Sequence, residues 1–230
     1  METGNNNNCK TCKKSSKCFQ YLYPDELEFI NSKKTQISYL KGENIFKQGA
    51  FAPYVLYVVD GLVRVFVQVG SNRQLNIRLS KQGDFMAFSS IFGDNVYNYS
   101  AVAIRDSTIC MIDKSALMQL LIKNADFAMR ITTKNCQNEG RYLDIIQNIS
   151  YKQMRGKLAS ALLYLSANDF LEEGVFQYLT RQDIADFASI TIESTVKFIK
   201  EFEKERIIEL NGKDIKIINK DKLVEIGRRG

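Results

Sequence analysis

LTRQDIADFASITIESTVKFIKEF, Leu179 to Phe202, decides how the whole chain is read, because it divides into two short amphipathic helices around a tight turn. Thr180 is a good N-cap, and Asp183 three residues on can return a hydrogen bond to it. Ile184, Phe187 and Ala188 give this first helix an apolar face. Thr191 caps the second helix. There Thr195, Phe198, Ile199 and Phe202 fall at helical spacing on one face, which leaves Ile192, Glu193, Val196, Lys197 and Lys200 on the other.

That outward face carries the expected chemistry. Glu193 can accept from a cytosine amino group, Lys197 can donate to guanine, and Ile192, with Val196 beside it, can touch a thymine methyl in a major groove. Thr180, Arg181 and Gln182 stand at the start of the first helix, where unpaired N–H groups and the helix dipole favour a phosphate. A plain helical hairpin with solvated charges is the competing reading. Against it stands Arg206 to Asn219, RIIELNGKDIKIIN, two β-prone runs around Asn211-Gly212. Asn-Gly is the strongest short hairpin signal. A hairpin directly after a recognition helix reads as a wing.

With 230 residues and 45% hydrophobic content, the chain can bury a proper core in one or two domains. No apolar run reaches the ~20 residues of a membrane span, and METGNNNNCKTCKK lacks a signal peptide's apolar region, so a cytoplasmic protein with no membrane association is expected. The net charge of +6 favours nucleic acid only weakly, since Thr180 to Gly230 holds 11 Lys/Arg against 10 Asp/Glu. Affinity must then come from placed contacts and from dimerisation. The chain has no histidine, the usual general base and commonest metal ligand. Nucleophile-elbow, Walker and GxGxxG patterns are absent too, and an enzyme is not expected.

From Thr35 to Asp113 short β-prone runs alternate with turns marked by Gly42, Gly49, Gly61, Gly70 and Gly83, which predicts a small double-sheet barrel or jelly roll. After Asp113 the period becomes helical, with a Pro-free stretch from about Asp126 to Ile149. Ile131, Asn135, Asn138, Tyr142, Ile145 and Ile149 recur there at alternating spacings of four and three, as a dimer seam does, and its polar middle would leave the dimer weak enough to switch. The alternative is that this face meets solvent or the barrel. The expected α+β organisation is a cysteine-bearing leader over 1–20, a β-barrel sensor over 21–125, a dimerisation helix over 126–149 and a winged helix-turn-helix over 150–230.

Barrel, long helix, helix-turn-helix and wing in this order, together with KGENIFKQG, LYVVDGLVRV and LTRQDIADF, resemble the Crp/Fnr family of bacterial transcription regulators over nearly the whole chain. The resemblance implies a cyclic-nucleotide-binding-like jelly-roll barrel and a homodimer that binds palindromic DNA and acts through RNA polymerase. It places Thr180, Arg181 and Gln182 at the family's phosphate-contacting start, and Glu193 and Lys197 at its base-reading positions. Lys197 departs from the arginine often found there, so guanine preference should be looser. The family's cyclic-nucleotide branch uses a Gly-Glu-Leu segment and an Arg-Ser pair. Here Ala87-Phe88-Ser89 and Tyr99-Ser100 stand in their place, without the carboxylate or the guanidinium, so no useful cAMP binding is expected.

What it senses is sought in the cysteines. Cys9, Cys12 and Cys18 form C-x2-C-x5-C, and Cys110 lies in STICMID, four thiolates that suit a metal or iron–sulfur site. Their spacing resembles the oxygen-sensing Fnr branch, which implies a [4Fe-4S] cluster whose oxidative loss would weaken the dimer and release DNA. Spare thiols on a leader and a core cysteine on a strand are the plain reading of the same residues. A structural zinc site is the competing use of the four ligands. A third reading is a small apolar effector or haem held by Phe85, Met86, Ala87, Phe88, Tyr99 and Ser100, although without histidine a haem would need Cys, Met or Tyr as its axial ligand. From another class, a ligand-binding or scaffolding module would use the helix pair on protein rather than DNA.

Overall fold

A computed structural model describes residues 17–70, 73–93, 95–136 and 139–229. Cys9, Cys12 and Asn138 lie outside the described residues, as does the side chain of Cys18. A 3-10 turn, Lys17–Tyr21, leads into α1, Pro24–Ser32. Pro24 suits this start because it has no N–H to leave unpaired, and Glu26 accepts from the Tyr23 N–H at 3.0 Å.

Six strands then build one sheet: β1 Lys34–Tyr39, β2 Asn44–Phe46, β3 Tyr54–Gln68, β4 Gln74–Lys81, β5 Phe85–Met86 and β6 Ser100–Asp113. Its order is β1-β6-β3-β4, with β2 also on β6 and β5 also on β3. β6 therefore pairs with three strands that precede it by long separations, and this wraps the sheet into the expected jelly-roll barrel. β3 bends at Asp60-Gly61, where its register on β6 slips. Gly61 has φ +110°, and a Cβ there would come within 2.1 Å of the Ser107 hydroxyl, so this corner admits only glycine.

Helices follow: α2 Lys114–Lys123, α3 Ala125–Cys136, α4 Glu139–Tyr151, α5 Met154–Leu165, α6 Arg181–Ala188 and α7 Ile192–Lys204. β7 Ile208–Asn211 and β8 Asp214–Ile217 form the hairpin predicted around Asn211-Gly212, and α8 Lys220–Arg229 closes the chain. Gly212 takes φ +61°, which the tight turn requires. Among the described residues no helix is long and apolar enough to cross a membrane.

The chain forms two compact units, one of residues 17–68 and 78–139, the other of Val69–Ile77 with 140–229. They part at 139/140, inside the stretch expected as one dimerisation helix. In the first, Phe127 and Ile131 of α3 complete a core with Val55, Tyr57, Phe85, Cys110, Ile112, Leu117 and Leu120. In the second, Leu158, Leu162, Ile184, Phe202 and Leu223 are fully buried.

The described residues of the expected seam divide between core and surface. Ile131 and Ile145 are buried within their own chain, and Asn135 turns its amide back onto the Ile131 carbonyl at 2.8 Å. The exposed apolar residues of these two helices include Met129 on α3 and Leu143, Ile146, Ile149 and Tyr151 on α4. A four-three repeat identifies an apolar helix face but not what covers it, and here the chain's own core takes Ile131 and Ile145 while Ile149 stays exposed.

Candidate nucleic-acid interface

The helix pair is built by its caps. Thr180 accepts from the Asp183 N–H at 3.0 Å while its own N–H donates to the Asp183 carboxylate at 2.8 Å, so the capping box read from the sequence closes in both directions. α6 ends at Ser189, which adopts φ +52° and turns the chain within three residues. Thr191 then accepts from the Ser194 N–H at 3.2 Å and starts α7. Thr195, Ile199 and Phe202 are buried beneath it, Phe198 is half-buried, and Ile192, Glu193, Lys197 and Lys200 are exposed. Packing therefore separates the two faces of α7 as its periodicity required.

Ile192, Glu193, Val196, Lys197 and Lys200 line one shallow concave surface on the outer side of α7. Lys197 stands 4.0 Å from Glu201 and lies over the Phe198 ring at 5.6 Å, so its ammonium has only loose intramolecular partners. Backbone N–H groups at the helix start, with the Thr191 hydroxyl, hold the Glu193 carboxyl below its ordinary range and keep it an acceptor. Among the phosphate candidates, burial pulls the Arg181 guanidinium down from its ordinary value, although it stays charged. Gln182 donates to Asp186 at 2.8 Å and the Thr180 hydroxyl to Asp183 at 2.6 Å. A phosphate arriving at this helix start must draw those donors away from carboxylates.

Four contacts that sequence periodicity does not announce brace the pair. Arg155 of α5 meets Glu205 at 2.5 Å and lies over the Phe202 ring at 5.2 Å, while Lys222 of α8 reaches the other oxygen of Glu205 at 3.3 Å. Met154 receives the Ser194 hydroxyl at 3.6 Å. Their partners lie far apart in sequence, where periodicity carries no information. The hairpin tip Val69–Ile77 also belongs to this unit, with Asn76 donating to the Asp183 carbonyl at 2.9 Å.

In the barrel, Phe85, Met86, Ala87 and Phe88 are buried, so the apolar stretch serves as core. The Tyr99 hydroxyl accepts from the Ala87 N–H at 2.6 Å and Ser100 accepts from the Gln48 N–H at 3.0 Å. These candidate effector contacts are engaged with one another and with neighbouring backbone. Cys110 is buried opposite Tyr57 on β3, and Phe19, the residue after Cys18, packs against that tyrosine at 6.0 Å. Cys136 is exposed.

Two families account for most of the chain: residues 36–124 match the cyclic nucleotide-binding domain, and residues 156–226 the Crp-like helix-turn-helix domain. The chain is 25% identical to the fumarate and nitrate reduction regulatory protein of Vibrio cholerae over 230 residues, covering 95% of this chain and 89% of that one. It is 23% identical to the cAMP-activated global transcriptional regulator CRP of Salmonella typhimurium, covering 77% and 86%. In fold it is similar to a crystal structure of a putative Crp/Fnr transcriptional regulator from Eubacterium rectale, with a TM-score of 0.74 at 18% identity, covering 92% and 98%.

Proposed function

The chain belongs to the Crp/Fnr family of DNA-binding transcription regulators, which are not enzymes, and from that premise we propose that it works as a homodimer whose DNA binding follows the redox state of its cysteines. The observation that carries the sensor reading is the position of Cys110. It sits buried on β6, and the residue after Cys18 packs on its cross-strand partner Tyr57. The segment that ends the C-x2-C-x5-C triplet therefore reaches the strand pair that bears the fourth thiol. Cys9, Cys12, Cys18 and Cys110 would hold a [4Fe-4S] cluster, which supplies an oxygen-sensitive group without any catalytic step.

Activation by cAMP, the property named for the Salmonella relative, does not carry over. Residues 87–89 and 99–100 offer neither a carboxylate for a ribose nor a guanidinium for a cyclic phosphate, and the Tyr99 hydroxyl already takes the Ala87 N–H. The DNA reading assigns Thr180, Arg181 and Gln182 to phosphates and Ile192, Glu193, Val196 and Lys197 to base edges of a palindromic operator, with RNA polymerase as the further partner.

The test is anaerobic purification of the wild type and Cys110→Ser, with absorbance, iron, sulfide and zinc measured and binding to a palindromic duplex followed before and after air. Absorbance near ~400 nm with about four irons per chain, lost together with DNA binding in air and in the variant, is the expected result. Colourless protein with zinc, or with no metal, that binds DNA equally in air and without it overturns the redox reading and leaves the DNA-binding assignment standing.

A further inference from the structure

The face that α7 presents to bases depends on how the helix is seated, and both of its ends are held by neighbouring residues of one other helix. Met154 and Arg155 open α5. Met154 receives the Ser194 hydroxyl in the first turn of α7 at 3.6 Å, and Arg155 reaches the other way, to Glu205 at 2.5 Å just past the last turn. The Arg155 guanidinium lies 5.2 Å over the Phe202 ring, and its Nε is buried with no hydrogen-bond partner among the described residues, so the ring and the carboxylate are what hold it. Lys222 of α8 takes the second oxygen of Glu205 at 3.3 Å. One carboxylate therefore ties the end of α7 to two other helices.

The backbone fixes this carboxylate in place. Arg206 follows at φ +55°, a conformation that favours glycine, while its N–H donates to the Glu203 carbonyl and the Ile207 N–H to the Phe202 carbonyl, each at 2.9 Å. Burial pushes the Glu205 carboxyl up, but the bonds from Arg155 and Lys222 outweigh it and hold the carboxyl below its ordinary range.

We propose that Arg155 and Glu205 are positioning residues for base reading: their pair sets the inclination of α7, and with it the reach of Glu193 and Lys197 into the groove. Ile199 and Phe202 are buried beneath the helix, and apolar burial is non-directional, so it decides which face points down without fixing the helix along or about that face. A planar guanidinium on a carboxylate does fix it, because its rigid fork accepts few orientations. Stability is a minor part of its effect. The two side chains are 36% and 32% exposed, and ion pairs in contact with water contribute little to folding.

This role rests on the reading that α6 and α7 bind DNA, and two different results would remove them. Glu205→Gln, Arg155→Met and the double variant are compared with the wild-type full-length protein by thermal melting and fluorescence anisotropy. The probes are a duplex that the wild type selects from a randomised palindromic pool and the same duplex with single base substitutions. Glu205→Gln adds one positive charge and Arg155→Met removes one, so bulk charge would move DNA affinity in opposite directions in the two. Positioning moves discrimination between the duplexes the same way in both. The expected result is a fall of about tenfold, the scale of one hydrogen bond to a charged group, with the melting temperature within about 2–4 °C of the wild type. The double variant should discriminate no worse than the worse single variant, since all three lose the same contact. Arg155→Lys keeps the charge and the stem, so it remains informative if Arg155→Met folds poorly; without the fork it too should discriminate less than the wild type. Wild-type discrimination in either single variant overturns the proposal, as do losses that multiply in the double variant. A wild type that selects no duplex overturns the DNA reading and, with it, the positioning role.

Discussion

Replacing Leu143 and Ile146 by alanine should dissociate the proposed dimer while leaving each chain folded. Leu143 is 67% exposed and Ile146 61%, so about two-thirds of each side chain waits to be covered. Full burial of such a side chain is worth about 1.5–3 kcal/mol, which makes the unburied share about 1–2 kcal/mol each. A symmetric dimer repeats both residues on its partner, so the double variant should lose about 4–8 kcal/mol of association, or roughly three to six powers of ten in dissociation constant. Sedimentation velocity over a dilution series, without DNA, measures this directly. The control is Ile145→Ala, one position away but buried in its own chain. It should lower the melting temperature through a cavity worth about 2–5 kcal/mol yet keep the dimer. Dissociation in Ile145→Ala with a persistent dimer in Leu143→Ala/Ile146→Ala would refute the exposure argument and restore the seam at Ile131 and Ile145.

The remaining expectations concern single groups. Thr180→Ala removes both the acceptor for the Asp183 N–H and a proposed phosphate donor, so thermal melting should show a loss of about 1 kcal/mol, or roughly 2–4 °C, together with weaker DNA binding; an unchanged melt would mean that the capping box closes without its hydroxyl. Lys197→Arg supplies the bidentate fork that an ammonium lacks and should sharpen discrimination at one guanine by about 1–3 kcal/mol in competition with base-substituted duplexes, whereas equal competition would remove Lys197 from base reading. Tyr97 lies against Phe46 with ring centroids 4.3 Å apart, and burial pushes its phenol up to about 12. Its unfolded form loses the proton near pH ~10, so the stability it contributes is full below that pH and is lost as the pH rises toward about 12. Tyr97→Phe should flatten that alkaline decline in a denaturation series, and an unchanged slope would assign the decline to other groups.

Local rules made much of this fold legible in the sequence. Thr180, Asp183 and Thr191 act within a few residues of themselves, and Asn211-Gly212 defines its own turn, so caps, helices and wing could be read directly. The barrel followed from glycines that turn corners and from runs too short for helices. Which apolar residues of α3 and α4 stay uncovered did not, because Ile131 and Leu143 are equally apolar and only tertiary packing assigns one to the core and leaves the other outside. Asn76 was hidden for the same reason. An asparagine in a β-prone run reads as surface, and nothing local announces that its partner stands 107 residues away.

The same long-range packing gives the proposed sensor a physical route to the helices. Phe19 stacks on Phe127 of α3 with ring centroids 6.1 Å apart, and Phe127 is fully buried. Asn124, just before α3, donates to the Tyr21 carbonyl at 2.9 Å and to Glu26 at 2.8 Å, while its own carbonyl accepts from the Phe127 N–H at 2.9 Å. Arg130 lies 4.8 Å over the Tyr21 ring. The turn that carries Cys18 is therefore bonded and packed to the first turns of α3 at several points. Chemistry that pulled Cys18 toward Cys110 or released it would act on Phe19 and Tyr21 first, and α3 is the next element in line. A polar, hydrogen-bonded joint suits such a role better than a purely apolar one. Its geometry is specific, and losing one partner leaves a buried amide unsatisfied at a cost of about 1–3 kcal/mol, enough to shift a two-state equilibrium by one or two powers of ten.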